Sequence, residues 1–102
     1  MVVSKTFKFI QIPIDIIMDE TIPPLARLLY GEILVLSNKD GYCFATNKYL
    51  GQINNVDGRT IRRLLHILET KNYIKVIIDK KLPNSMKRKI FIYNYFYIIF
   101  SF

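Results

Sequence analysis

The stretch that most constrains the fold is residues 57–71, DGRTIRRLLHILETK, whose spacing predicts one helix with two opposite faces. At about 100° per residue around a helix, a core-facing stripe repeats at i, i+3, i+4 and i+7, and it is formed here by Ile61, Leu64, Leu65 and Leu68. The opposite side carries Arg59, Arg62, Arg63 and His66. Asp57 is suited to cap the start of this helix, and Asn72 tolerates the left-handed turn that ends it.

The basic face of this helix indicates a polyanionic partner. Three arginines without an acidic residue beside them repel one another, and a polyanion would relieve that repulsion. The net charge of the chain is +7, and the excess lies in residues 57–89, where ten Lys and Arg stand against three acidic residues. Such a concentration is typical of a basic binding face. The alternative is an ordinary solvated helix face.

The preceding residues have the order of a helix-turn-helix motif. A long core helix is predicted over 23–37, with a proline pair in its first turn. Thr46 is suited to cap a short second helix over 47–53, in which Gly51 allows a close backbone approach. Residues 54–56, Asn-Asn-Val, form the turn into the basic helix.

Four runs of the sequence have strand character. A first strand is predicted over 7–13, and a short run at 42–44 is expected to pair with the later strands. Residues 73–79 and 90–96 predict a β-hairpin whose connection, 80–89, forms an exposed basic tip. A hairpin that follows a basic helix has the position of a wing. The alternative for its charges is a hairpin that discourages edge pairing with other chains.

The residues from Asp40 to Ile74, DGYCFATNKYLGQINNVDGRTIRRLLHILETKNYI, resemble the winged helix-turn-helix domains of phage replisome organisers and plasmid replication initiators. The preceding IPIDIIMDETIPPLARLLYGEIL is similar to the opening segment of those domains. The resemblance implies a three-helix core with a wing, which binds double-stranded DNA through the third helix. Transcription regulators share most of this pattern, so both functions stay open.

We therefore predict an α+β fold of the winged helix-turn-helix type, with a three-helix core, a short β-sheet and a C-terminal wing hairpin. A chain of 102 residues is long enough for one core. One domain is expected over 1–102, with the helix-turn-helix at about 46–71 and the wing at about 73–96. The apolar residues 97–102 are expected to pack on the core or on a second copy.

The predicted DNA-binding residues form three groups. In the recognition helix, the side chains that can reach bases or flanking phosphates are Arg59, Arg62, Arg63 and His66, while Thr60, near the start of this helix, is expected closer to the DNA backbone. Near the start of the second helix, Asn47 and Lys48 are expected beside the DNA backbone. The wing residues expected on phosphate or in the minor groove are Lys80, Lys81, Lys87, Arg88 and Lys89. A merely solvated histidine explains His66 equally well.

The expected function is non-enzymatic, sequence-specific binding of double-stranded DNA by a regulator of transcription or a replication-initiation accessory of a phage, virus or plasmid. With one histidine, one cysteine and no phosphate-binding loop, the sequence offers no catalytic residues, no metal ligands and no cofactor or small-molecule site. A homodimer is expected, through the first helix or the apolar tail. The single cysteine and the lack of a long apolar run predict a cytoplasmic or nucleoid location, with no membrane partner.

Two other classes of function stay open. The winged helix could serve as a scaffold for protein–protein interaction, with the tail strand docking on a partner. Alternatively, the protein could bind RNA or single strands, because Tyr93, Tyr95 and Tyr97 alternate along the last strand and could stack on bases. The same alternation also describes one face of an ordinary sheet.

Overall fold

The computed structural model describes residues 7–83 and 87–93, and these residues form four helices and a two-stranded antiparallel sheet. In chain order the elements are α1 (Ile14–Ile17), α2 (Pro24–Leu36), α3 (Asn47–Asn54), α4 (Gly58–Thr70), β1 (Ile74–Ile78) and β2 (Arg88–Ile92). The arrangement is the predicted α+β winged helix-turn-helix, preceded by the single turn of α1. Within the described residues no helix is long and apolar enough to cross a membrane.

The core is built around the apolar stripe of α4. All four predicted stripe residues are buried, and α4 packs against α2, α3 and β1. From the neighbouring helices, Leu29, Ile33 and Leu50 are fully buried with it. Because burying a leucine or isoleucine side chain stabilises a fold by roughly 1.5–3 kcal/mol, this stripe fixes which side of α4 faces solvent.

The core side of α2 also holds a charged residue. Glu32 is only 5% exposed, and its Oε1 accepts a hydrogen bond of 2.8 Å from Asn54 Nδ2 at the end of α3. Burying a carboxylate is costly unless it is hydrogen-bonded, and the bond from Asn54 offsets part of that cost where α2 meets α3. It fixes the end of α3 against α2.

The strand predicted over 7–13 is wrong, because these residues form no strand in the structure. They cross α2 at Gly31 instead, where an added Cβ would lie 2.8 Å from Ile12 Cγ1 and 2.9 Å from Ile10 Cδ1. Pro13 lacks a backbone N–H, and the apolar side chains of this run gain more by packing on a helix than by extending a sheet.

The hairpin pairs Ile74 with Ile92, Val76 with Ile90 and Ile78 with Arg88. Its core-facing side buries Ile74, Ile90 and Ile92. Cys43 forms a bridge with Ile90 through two backbone hydrogen bonds of 2.9 and 2.8 Å, so the predicted pairing of the 42–44 run is confirmed. The second strand begins two residues earlier than predicted. The predictions for 84–86 at the tip and for 94–102 lie outside the described residues.

Candidate nucleic-acid interface

The basic helix α4 begins at the cap that the sequence predicts. Asp57 Oδ1 accepts a hydrogen bond of 2.8 Å from the backbone N–H of Thr60. Hydrogen bonds from the backbone and side chain of Thr60, with a smaller contribution from the charge of Arg59, lower the pKa of Asp57. The carboxylate therefore stays ionised at the positive end of the helix dipole, which favours it.

The turn between α3 and α4 depends on a glycine. Val56 N donates to Gly51 O at 3.0 Å, and a Cβ added to Gly51 would lie 2.5 Å from Val56 O. Asn55 adopts the left-handed conformation with φ 57°, which asparagine tolerates better than most residues. The predicted close approach at Gly51 is confirmed, and it sets the angle between the two helices.

The exposed side of α4 is cationic over its first two turns and carries a histidine in the third. Arg59, Arg62, Arg63 and His66 are all exposed, and Thr60 is half-buried beside them. In the described part of the chain the one ion pair joins Lys71 Nζ to Asp19 at 4.0 Å and involves none of these four. The guanidinium donors of the three arginines are available to an outside acceptor, such as a phosphate or the edge of a guanine.

Glu69, the acidic residue nearest the end of this face, is directed towards the sheet. Glu69 is exposed in the last turn of α4, and its Oε2 accepts a hydrogen bond of 3.1 Å from the backbone N–H of Val76 in β1. This N–H belongs to the side of β1 that does not face β2. The carboxylate thus covers part of the edge of the sheet, and among residues 7–83 and 87–93 no ion pair joins it to the arginines of α4.

Of the two residues predicted near the start of α3, Lys48 is exposed and Asn47 is half-buried. Asn47 Oδ1 accepts a hydrogen bond of 2.6 Å from Arg88 Nη1. The start of α4 lies against the same residue, because a Cβ added to Gly58 would lie 3.5 Å from Asn47 Cβ. Asn47 therefore stands where α3, α4 and β2 meet.

The predicted wing residues divide into two sets. Lys80 and Lys81 are exposed in the connection of the hairpin, and Lys87 is half-buried at its end. Arg88 and Lys89 are not at an exposed tip, which corrects the prediction, because they lie within β2. Arg88 Nη2 donates to Ala45 O at 2.6 Å, while Lys89 Nζ lies 4.8 Å from the centre of the Tyr42 ring.

The charge of Arg88 is partly withdrawn from solvent, and desolvation lowers its pKa from the usual value for arginine. Beside it, a pocket of about 240 Å³ lies between the start of α3 and the hairpin. It is lined by Phe44, Ala45, Thr46, Asn47, Ile78, Lys87 and Arg88. This concave surface is therefore shared by α3 and the wing. No spacing rule predicts it, because its members come from three separate segments.

No metal site accompanies this surface, since the described residues contain no group of three or more His, Cys, Asp or Glu that could hold an ion. Cys43 is buried, and burial raises the pKa of its thiol, so it is a filler of the core and lies apart from the basic face.

Comparison with known protein families identifies the helical part of the chain as a helix-turn-helix domain. A family model described as a helix-turn-helix domain matches residues 20–74, more than half of the 102-residue chain. The matched range contains α2, α3 and α4 and ends on the first residue of β1. No curated protein and no solved structure matches the chain.

Proposed function

The chain belongs to the helix-turn-helix domain family, which points to DNA binding, and we propose that it binds double-stranded DNA with α4 in the major groove. One observation carries the proposal. The arginines at 59, 62 and 63 and the histidine at 66 are exposed together on α4, and none of them belongs to the ion pair of the described residues. An α-helix fits the width of the major groove, so such a face can meet base edges.

The contacts divide by position along the helices. Arg62 and Arg63 lie along the exposed side of α4, where a guanidinium can hold guanine O6 and N7 with two hydrogen bonds. Arg59 and Thr60, in the first turn of α4, are assigned to the DNA backbone or the first base, and His66 to the far end of the contact. Lys48 is assigned to phosphate, because it is exposed in the first turn of α3.

The wing supplies further phosphate contacts through the exposed Lys80 and Lys81 and the half-buried Lys87. Arg88 and Asn47 are bonded to each other, so we assign them to positioning the wing. Phosphate contacts set the register of a protein on DNA, whereas base contacts select the sequence.

We infer a role without an enzymatic step, as a transcription regulator or a replication-initiation accessory of a phage, virus or plasmid. The resemblance of the 40–74 region to replisome organisers and plasmid initiators supports it. A homodimer would place two α4 helices on neighbouring turns of the duplex and favour a palindromic site. Such a protein would act in the cytoplasm or nucleoid of its host.

The test is a titration into a pool of duplex DNA over a range of salt concentrations. The double variant Arg62→Ala/Arg63→Ala is compared with Lys8→Ala/Lys39→Ala, which removes the same charge from exposed positions elsewhere. The log–log salt slope changes by about 0.9 for each lost phosphate contact, and a lost base contact relaxes the selected sequence.

We expect the Arg62→Ala/Arg63→Ala variant to bind more weakly and to show either a shallower salt slope or a relaxed sequence preference. The Lys8→Ala/Lys39→Ala variant should keep the affinity, the slope and the preference. Weak binding with a flat salt dependence, equal in both variants, would contradict the proposal.

A further inference from the structure

The side of the sheet that faces away from the core carries rings and lysines together. In β1 and β2 the residues between the buried positions point outward, and the rings of the 42–44 run join them. We call this surface the outer sheet face, and it consists of Tyr42, Phe44, Lys75, Ile77, Lys89 and Phe91. It lies apart from the arginines of α4, because the opposite side of the same sheet packs into the core. Phe44, at its edge, also lines the pocket beside Asn47 and Arg88.

The rings of the outer sheet face are close but not stacked flat on one another. Tyr42 lies 5.6 Å from Phe91 with an angle of 46° between the planes, and 6.3 Å from Phe44 with an angle of 58°. Phe44 is 50% exposed, and the other two rings are half-buried. Tilted rings leave part of each face open, so a planar group can lie against them.

The charges on this face complement an anionic ligand. Lys89 Nζ lies 4.8 Å from the centre of the Tyr42 ring, and the register places Lys75 opposite Phe91. None of the six positions is acidic. A protein partner that covered the rings would desolvate both ammonium groups, and lysine is depleted at the centres of protein interfaces. A ligand with planar rings and phosphates would lie against the aromatic rings and pair both ammonium groups with anions.

We propose that the outer sheet face binds unpaired bases of a single-stranded nucleic acid. Bases would stack on Phe44 and Phe91, while Lys75 and Lys89 contact the strand's phosphates. Paired bases in a duplex have no free ring face, so this site selects single strands. The proposal does not depend on duplex binding by α4, because none of its contact residues lies on that helix.

The experiment measures binding of fluorescently labelled oligothymidine and oligouridine to the full chain by anisotropy at low salt. Phe44→Leu keeps the apolar bulk and removes the ring, whereas Phe44→Tyr keeps the ring. Phe9→Leu, at a phenylalanine that is 75% exposed outside this face, is the matched control. Thermal unfolding of each variant establishes that it is folded.

The expected result is a loss of about 5- to 150-fold in single-strand affinity for Phe44→Leu, the range found when one stacked base is lost. Phe44→Tyr and Phe9→Leu keep the affinity. The Arg62→Ala/Arg63→Ala variant loses duplex binding but keeps most of the single-strand binding, which separates this proposal from the one for α4. Phe91→Leu should repeat the effect of Phe44→Leu.

Three results would overturn the proposal. One is the absence of measurable binding to either oligonucleotide, which would leave the outer sheet face to a protein partner. Another is single-strand affinity that does not change in the leucine variants at 44 and 91. The third is complete displacement of the oligonucleotide by duplex together with its loss in the arginine variant, because the strand would then occupy α4.

Discussion

Arg88 Nη1 donates a hydrogen bond of 2.6 Å to Asn47 Oδ1, and this contact joins the first residue of β2 to the first residue of α3 across 41 positions of sequence. The second guanidinium nitrogen donates to Ala45 O, just before α3. The hairpin is therefore held at a defined orientation relative to the helix-turn-helix. The forked shape of arginine matters here, because two nitrogens fixed in one plane reach the two oxygens, whereas lysine would have to donate to both from a single nitrogen.

Replacing Arg88 by methionine should destabilise the fold. Hydrogen bonds to a charged group contribute roughly 1.5–3 kcal/mol when buried, and partial exposure reduces this, so we expect a loss of about 1–3 kcal/mol in the free energy of unfolding. Urea denaturation measures it. Arg88→Lys should recover only part of the loss, and an unchanged unfolding free energy in both variants would show that the contact does not hold the hairpin.

Gly51→Ala should disrupt the turn between α3 and α4. The new Cβ would lie 2.5 Å from a backbone oxygen, and relieving that clash requires backbone movement, so a destabilisation of about 2–4 kcal/mol is expected. Gly58→Ala is the matched control. Its Cβ would meet Asn47 Cβ at an ordinary 3.5 Å, and alanine is the better helix former by roughly 0.5–1 kcal/mol. Equal effects of the two substitutions in thermal unfolding would refute this account of the turn.

Asp57→Ala should weaken the start of α4. It removes the oxygen that accepts from Thr60 N, and loss of such a cap costs about 0.5–2 kcal/mol. Asp57→Asn keeps the acceptor and loses the charge, so its unfolding free energy should lie between those of the alanine variant and the natural protein. Chemical denaturation ranks the three, and an asparagine variant as unstable as the alanine variant would assign the effect to charge alone.

The contact between Asp19 and Tyr73 should give stability a dependence on pH at both extremes. Hydrogen bonds from Thr21 and Tyr73, together with the nearby Lys71, lower the pKa of Asp19 from 3.8 to about 2. The Asp19 hydrogen bond raises the pKa of the Tyr73 phenol from 10.0 to about 12.

Because the pKa of Asp19 is lowered in the folded state, its contribution is complete above pH 4 and is lost as the pH falls towards about 2. The pKa of Tyr73 is raised, so its contribution is complete below pH 10 and is lost as the pH rises towards about 12. Tyr73→Phe should reduce both the alkaline and the acid loss, and the alkaline loss that remains is expected from Tyr30, whose pKa is raised by burial. Unfolding free energies across pH measure both, and identical profiles for the variant and the natural protein would contradict the coupling.

The local parts of this fold are predictable from sequence. The period of apolar residues in α4 places its buried face, and Thr46 and Asp57 cap the helices that the pattern assigns to them. Asn72 has the predicted left-handed conformation, with φ 62°. Each of these features depends on residues within about one or two helical turns, where steric and hydrogen-bonding preferences act directly.

The features that prediction missed join distant segments. Glu32 with Asn54, Asn47 with Arg88, and Tyr42 with Lys89 become neighbours only when the helices and the hairpin pack together. The strand wrongly predicted over 7–13 has suitable local composition, but packing on α2 satisfies its apolar side chains instead. Tertiary context decides such cases, because propensity for strand describes a fit to neighbours that a sequence does not identify.

The close approach of Gly51 to Val56 also has a thermodynamic consequence for binding. With the helices α3 and α4 locked at this turn and α3 anchored to α2 through Asn54, presenting the arginines requires little rearrangement of the backbone. The entropy lost on contact with a ligand at α4 then falls mainly on the long side chains, at roughly 0.5–1.5 kcal/mol for each one immobilised. A substitution that loosens this turn would add the entropic cost of ordering the backbone to the free energy of binding. It would then weaken affinity without removing any contact to the ligand.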